Sequence, residues 1–229
     1  ALKLNSAVYI FEELKKYLDE NNKITEEWNP INILYKHSST VGALDLNVLA
    51  NNSTYEILNN LENNKYEVVF LFGQDNLVFN KKNEFIIYIG SHGDKGANIA
   101  DIILPGATYT EQDGHFTNLE GRLQKAFKAS FPPGEAKEDW QIINEISGFL
   151  KKKFLYKDKS QLLDSMTNYL KLNLDKDHEF KVPSYEFKSE KINLDNFDYY
   201  HSNVIARSSK TMSECKNIRM KLPKTGTDN

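Results

Sequence analysis

Residues 67–105 read EVVFLFGQDNLVFNKKNEFIIYIGSHGDKGANIADIILP. Three short apolar runs stand out: EVVFLF at 67–72, FIIYIG at 85–90 and DIILP at 101–105. Near-continuous runs of strand length suit strands buried on both faces of a parallel sheet, and EVVFLF reads as a central one. SHGDKGANIA, between the last two runs, leaves space for a helical turn or two. Upstream, residues 5–20 place Ala7, Ile10, Phe11, Leu14, Tyr17 and Leu18 on one helical stripe, behind Asn5 or Ser6 as N-cap. Residues 40–50 are more weakly helical. Ser53-Thr54-Tyr55-Glu56 is a capping box for a further short helix. This alternation predicts an α/β fold with a doubly wound, mostly parallel sheet flanked by helices. With a helix preceding the first strand, the sheet is expected to be incomplete on its N-terminal side.

Downstream the pattern changes. EQDGHFTNLEGRLQKAFKASFPPG, residues 111–134, mixes turn residues with short strand patterns and predicts a loop and hairpin ended by Pro132-Pro133-Gly134. Residues 135–151 form a helix with Trp140, Ile143, Ile146 and Leu150 on one face, and a second helix covers 160–172. From 174 to 200 the chain is charged and aromatic without periodicity, as expected of an extended segment wrapped over a surface. A last helix is expected over 203–220, followed by a frayed end. The resulting division is an α/β domain at 1–153, and at 154–229 a helix plus an extended surface-wrapping tail with a final helix.

Composition narrows the chemistry. The 229 residues carry a formal net charge of −3, which argues against a dedicated nucleic-acid binder with a basic surface. Cys215 is the single cysteine, so this chain alone cannot form an internal disulfide, a four-cysteine zinc site or an iron–sulfur cluster. No apolar run approaches the roughly 18 residues needed to span a bilayer. Asparagine is abundant and lysine far outnumbers arginine, a pattern of codon bias that makes scattered Asn and Lys uninformative. The three arginines, Arg122, Arg207 and Arg219, gain weight by contrast, because lysine cannot supply the planar guanidinium fork.

Two loops stand where open α/β sheets bind ligands, at the carboxyl ends of strands: Gly73-Gln74-Asp75-Asn76 and the glycine-bearing stretch Gly90–Gly96. Glycines let backbone N–H groups approach phosphate, but neither loop is GxGxxG or ends in GK[ST], so tight turns are the plainer reading. His92 beside Asp94 has the makings of a base with an orienting carboxylate; an ordinary loop hydrogen bond is the simpler account. The histidines (His37, His92, His115, His178, His201) show no zinc-ligand spacing, and there is no GxSxG. Cys215, in a helical tail, reads as a small buried apolar residue.

One long stretch is more specific. HGDKGANIADIILPGATYTEQDGHFTNLEGRLQ, residues 92–124, resembles the C-terminal half of the large iron–sulfur subunit of respiratory complex I, the mitochondrial 75-kDa subunit or its bacterial counterpart. GALDLN at 42–47, PPGEAKEDWQII at 132–143 and IARSSKTMSEC at 205–215 agree with it, while 148–196 is uninformative. Arg122 and Arg207 fall inside these motifs and Arg219 just past them. The resemblance implies a molybdopterin oxidoreductase-like domain that has lost its cofactor and serves as a non-catalytic scaffold in NADH:ubiquinone oxidoreductase. It assigns no catalytic, cofactor-binding or metal-binding residue to this chain, and places the iron–sulfur clusters in the N-terminal half or a partner chain. Partners implied are that half and other peripheral-arm subunits, on the matrix side of the mitochondrial inner membrane or the cytoplasmic side of a bacterial one. The alternative is a domain that still binds molybdopterin or a nucleotide. Gln112, His115 and Leu119 depart from the family pattern in a loop that holds the dinucleotide in cofactor-binding relatives, which weighs against that alternative. The resemblance also predicts that Ala1 lies inside a domain, through a split gene or missing upstream residues.

Overall fold

The computed structural model describes residues 6–25, 28, 30–35, 37–48, 54–74, 76, 77, 79–152, 156–174, 189, 191 and 198–221. Ser53 of the capping box, His178, most of 174–200 and the end of the chain from 222 lie outside the described residues. Helices α1 (Ala7–Glu20), α2 (Thr40–Asp45) and α3 (Thr54–Glu62) lead into strands β1 (Val68–Phe72) and β2 (Phe85–Gly90). Then follow α4 (Lys95–Ile99), β3 (Ile102–Pro105), β4 (Gly114–Thr117), β5 (Leu123–Ala126), α5 (Asp139–Phe149), α6 (Lys159–Leu174), α7 (Val204–Ser208) and α8 (Lys210–Lys221). The three apolar runs form one parallel sheet in the order β1-β2-β3, and β4 pairs with β5 as an antiparallel hairpin. The fold is α/β with a parallel sheet flanked by helices.

On one face of the sheet, Leu71, Ile86 and Tyr88 form the core, and Ala97, Ile99 and Ala100 of the β2–β3 crossover pack against them. Asp101 fixes that crossover. Its N–H donates to Ile86 O at 2.8 Å, and its carboxylate accepts the Ile86 N–H at 2.8 Å while pairing with Lys81 at 2.6 Å. The Ile86 N–H first, and then Lys81, hold this carboxyl below its ordinary range.

The opposite face is covered at the β3 end. There Ile142 and Ile146 of α5 line a groove with Leu104 and Pro105. This corrects two readings. The helix begins at Asp139, not 135, because Lys137 is extended: its N–H donates to Pro105 O and its carbonyl accepts from Ala107 N–H. Its inner face holds Ile142 and Ile146, whereas Ile143 and Leu150 are exposed. The Glu138–Gln141 capping box and Asn144, which both donates to and accepts from the Tyr156 backbone at 2.8 Å, set that rotation.

β1 also differs from expectation. Leu71 is buried, but Val68, Phe70 and Phe72 alternate out to solvent, so β1 has one covered face; among the described residues it has a strand neighbour, β2, on one side only. The final helix is two helices, because Ser209 takes an extended conformation and its hydroxyl accepts the Met212 N–H as a cap.

The hairpin turn explains the NLEGR string. Asn118 Oδ1 accepts the N–H groups of Glu120 (3.0 Å) and Arg122 (2.9 Å), and Gly121 sits at φ +80°. Asn118→Ala removes the acceptor of both hydrogen bonds, and the expected cost is about 1–2 kcal/mol. The check is amide exchange over 114–126, which should quicken roughly tenfold while that of β2 stays constant.

Candidate functional site

The crevice at the carboxyl ends of β1 and β2 is built around Tyr88. Within FIIYIG, Ile86, Tyr88 and Gly90 share a face by strand alternation, and the Tyr88 side chain is only 1% exposed. Its hydroxyl donates to His92 O at 2.9 Å. A Cβ on Gly90 would stand 2.5 Å from that hydroxyl; one on Gly96 would stand 3.1 Å from the ring and 2.4 Å from Gln74 O. The two glycine loops therefore meet, and a tyrosine ring fills the space between them.

Asp94 caps α4, accepting the Lys95 N–H at 2.9 Å. Its other oxygen receives Arg207 Nε at 2.6 Å, from α7. The Arg207 guanidinium, opposed by partial burial, holds the Asp94 carboxyl below its ordinary range. The tail is pinned again beyond this clasp: Arg207 reaches His201 O, His201 Nε2 lies 3.3 Å from Ser213 Oγ, and Lys216 pairs with Asp198 at 2.5 Å. His92 is not part of a base–carboxylate pair with Asp94, because that carboxylate is engaged by Arg207 and Lys95; His92 Nδ1 instead meets Ser91 Oγ at 2.9 Å.

Removing the clasp has a defined pH signature. Asp94's folded pKa is depressed, so its stabilisation is fully present above the unfolded carboxylate value, about 3.9. It is lost as pH falls through the lower folded value. Arg207→Ala should cut amide protection over 204–221 about tenfold at neutral pH, near 1–2 kcal/mol. Wild type should show the larger acid-dependent loss of that protection; the variant should keep only the part due to Asp198, whose carboxyl Lys216 also holds below its ordinary range. Equal acid steps in both would rule the clasp out as the cause.

A second concavity, of about 530 Å³, lies between the hairpin, α5 and α6. Gln112, His115, Asp139, Trp140, Lys159 and Met166 are among its lining residues. Lys159 ties it together, donating to Asp113 O at 2.7 Å and pairing with Glu138 at 2.6 Å. Burial pushes the Asp139 carboxyl up, against the hydrogen bond from Gln112. Two of the three departures, Gln112 and His115, thus face this concavity, while Leu119 is exposed in the hairpin turn.

Other predicted residues fall apart spatially. Among the described residues no three His, Cys, Asp or Glu side chains form a metal-holding cluster. Cys215 is exposed, not buried, because Ser213 and Lys216 occupy the inner side of α8 through their contacts with His201 and Asp198. Arg122 is exposed on the hairpin, and Arg219 lies in the last turn of α8. Sequence reasoning missed Tyr88 and Lys159. The first has a visible cue, a lone hydroxyl-bearing residue between glycine and isoleucine on one strand face. The second has none.

A family model described as molybdopterin oxidoreductase matches residues 1–149. The chain belongs to the molybdopterin oxidoreductase family. A pterin dinucleotide in such a domain needs free backbone N–H groups converging on open space. Here the Gly73 N–H donates to Ile89 O (2.7 Å), the Lys95 N–H donates to Asp94, and the Tyr88 ring lies against Gly90 and Gly96, so these groups do not fit that cofactor's need.

Within the molybdopterin oxidoreductase family, this chain is similar to the NADH-ubiquinone oxidoreductase 75 kDa subunit of Reclinomonas americana. The two are 39% identical over 221 residues, covering 90% of this chain and 31% of that protein. It is 36% identical over 229 residues to an NADH-quinone oxidoreductase subunit of Rickettsia bellii, covering 97% of this chain and 32% of the relative. To the mitochondrial NADH-ubiquinone oxidoreductase 78 kDa subunit of Neurospora crassa it is 35% identical over 228 residues, 90% of this chain and 29% of that one. The chain spans about a third of the length of these curated relatives.

Proposed function

We propose that this chain is the cluster-free, C-terminal part of the large iron–sulfur subunit of complex I, acting as a structural element of the peripheral arm. The observation that carries this is the reach of the similarity. The family model stops at residue 149, yet the NADH-quinone oxidoreductase subunit from Rickettsia bellii aligns over 97% of the chain, tail included. The tail is also the element that closes the crevice, through Arg207 on Asp94. A domain whose ligand crevice is filled by its own tyrosine and clasped by its own tail is suited to holding neighbours in place. Of its signature carboxylates, Asp94, Asp101 and Glu111 each accept a backbone N–H of the same chain.

Under this reading, electrons from NADH to quinone pass through iron–sulfur clusters in the N-terminal half or a partner chain. The partners are that half and other peripheral-arm subunits, on the matrix side of the mitochondrial inner membrane or the cytoplasmic side of a bacterial one. Among the described residues no helix is long and apolar enough to cross a membrane. The test is native electrophoresis of membranes from the source organism with an antibody to this chain. Co-migration with a very large NADH-oxidising assembly is expected, and migration as a small free species would overturn the proposal. Stoichiometric molybdenum or pterin traced to this chain in the purified assembly would overturn its cofactor-free part.

A further inference from the structure

The face of the sheet opposite Tyr88 is only half covered. By strand register Val68 lies beside Phe85, Phe70 beside Ile87, and Ile87 beside Ile102. Val68, Phe70, Phe72, Phe85 and Ile102 are each between 42% and 49% exposed, and the Phe70 and Phe72 rings stack with centroids 6.0 Å apart. At the other end of this face Ile89 is 1% exposed and α5 lies against Leu104. The bare area is thus contiguous with a covered one, and it runs out to β1, which has a strand neighbour on one side only among the described residues. An apolar patch of this kind marks a docking surface, and a parallel sheet is stable when both faces are covered.

We infer that this face receives a helix from the polypeptide corresponding to the two thirds of the relatives' length that this chain does not span. The inference rests on the proposed function and names the contact surface for its principal partner. Two observations select this occupant. The relatives carry roughly twice this chain's length again in sequence it does not match, which is enough polypeptide to supply such a helix. At the other end of the same face a helix, α5, borders the sheet across a groove with Leu104, so a further helix continues that layer, whereas a second copy would stack sheet on sheet, the arrangement of antiparallel sandwiches.

The test uses the assembly that contains this chain. Phe70→p-benzoylphenylalanine, which keeps an aromatic group on the surface, is photolysed in that assembly and the adduct is mapped by mass spectrometry. The expected adduct joins residue 70 to a helical segment similar to the part of the 75-kDa relatives outside the matched third. An adduct to residues 175–197 of this chain, to a second copy, or only to lipid or solvent overturns the inference and leaves the proposed function standing. Absence of the chain from any NADH-oxidising assembly removes both. As a second measurement, Phe70→Glu with Phe72→Glu should lower recovery of the chain in the assembly at least tenfold. Recovery equal to wild type overturns the inference.

Discussion

Tyr88→Ala is expected to open the sheet more than truncation of either of its core neighbours. The side chain is buried at 1% exposure, with Leu71 and Ile86 beside it. It is enclosed by Gly90 and Gly96, so nothing nearby is long enough to fill the space it would leave. Truncating a buried aromatic to alanine costs about 3–5 kcal/mol, through lost transfer energy and the remaining cavity. Amide exchange at Ile86–Ile89, which follows opening of the sheet, should therefore accelerate by roughly two to four orders of magnitude. Tyr88→Phe separates packing from polarity. It keeps the ring and loses the donation to His92 O, so about 1 kcal/mol is expected. An effect of Tyr88→Ala no larger than that of Tyr88→Phe would refute the filled-crevice account.

Gly96→Ala should act at the same place from the opposite side. A Cβ there would stand 2.4 Å from Gln74 O, a backbone atom that cannot rotate away, and 3.1 Å from the Tyr88 ring. The glycine is buried at the second position of α4, where alanine would otherwise favour the helix. Helix propensity and steric exclusion thus push in opposite directions. Overpacking of this kind costs about 1–3 kcal/mol, more than the roughly 1 kcal/mol that alanine gains over glycine in a helix interior. The expected net result is a loss of stability, with faster exchange in both the Gly73–Gln74 turn and α4. Gly93→Ala is the matched control. No atom lies within 4 Å of its Cβ position, so a change below about 0.5 kcal/mol is expected there. A stabilised Gly96→Ala would mean that the two loops do not touch in solution.

The site residues show where sequence reading ends. Both glycine loops are legible as the place to look, since position after a strand is a property of chain order. Their use is not, because it turns on Tyr88, whose hydroxyl reaches a carbonyl four residues on only after strand and loop have folded. Arg207 is marked by its survival among lysines in a lysine-rich chain. Its partner, Asp94, lies 113 residues away, and no local pattern links the two. The exposure of Cys215 and the inner face of α5 escape sequence reading for a related reason. Periodicity identifies stripes, whereas a capping box and side-chain clamps fix which stripe turns inward.

Residue order alone was enough for the α/β class, the three parallel strands, the hairpin and the family, because these depend on apolar runs, turn residues and a contiguous signature string. Three further features emerged with the folded chain: β1 has one bare face and, among the described residues, a single strand neighbour; Tyr88 fills the crevice; and the tail clasps it through Arg207. Those outcomes depend on which distant atoms come within a few ångströms of one another, which the order of residues along the chain does not state.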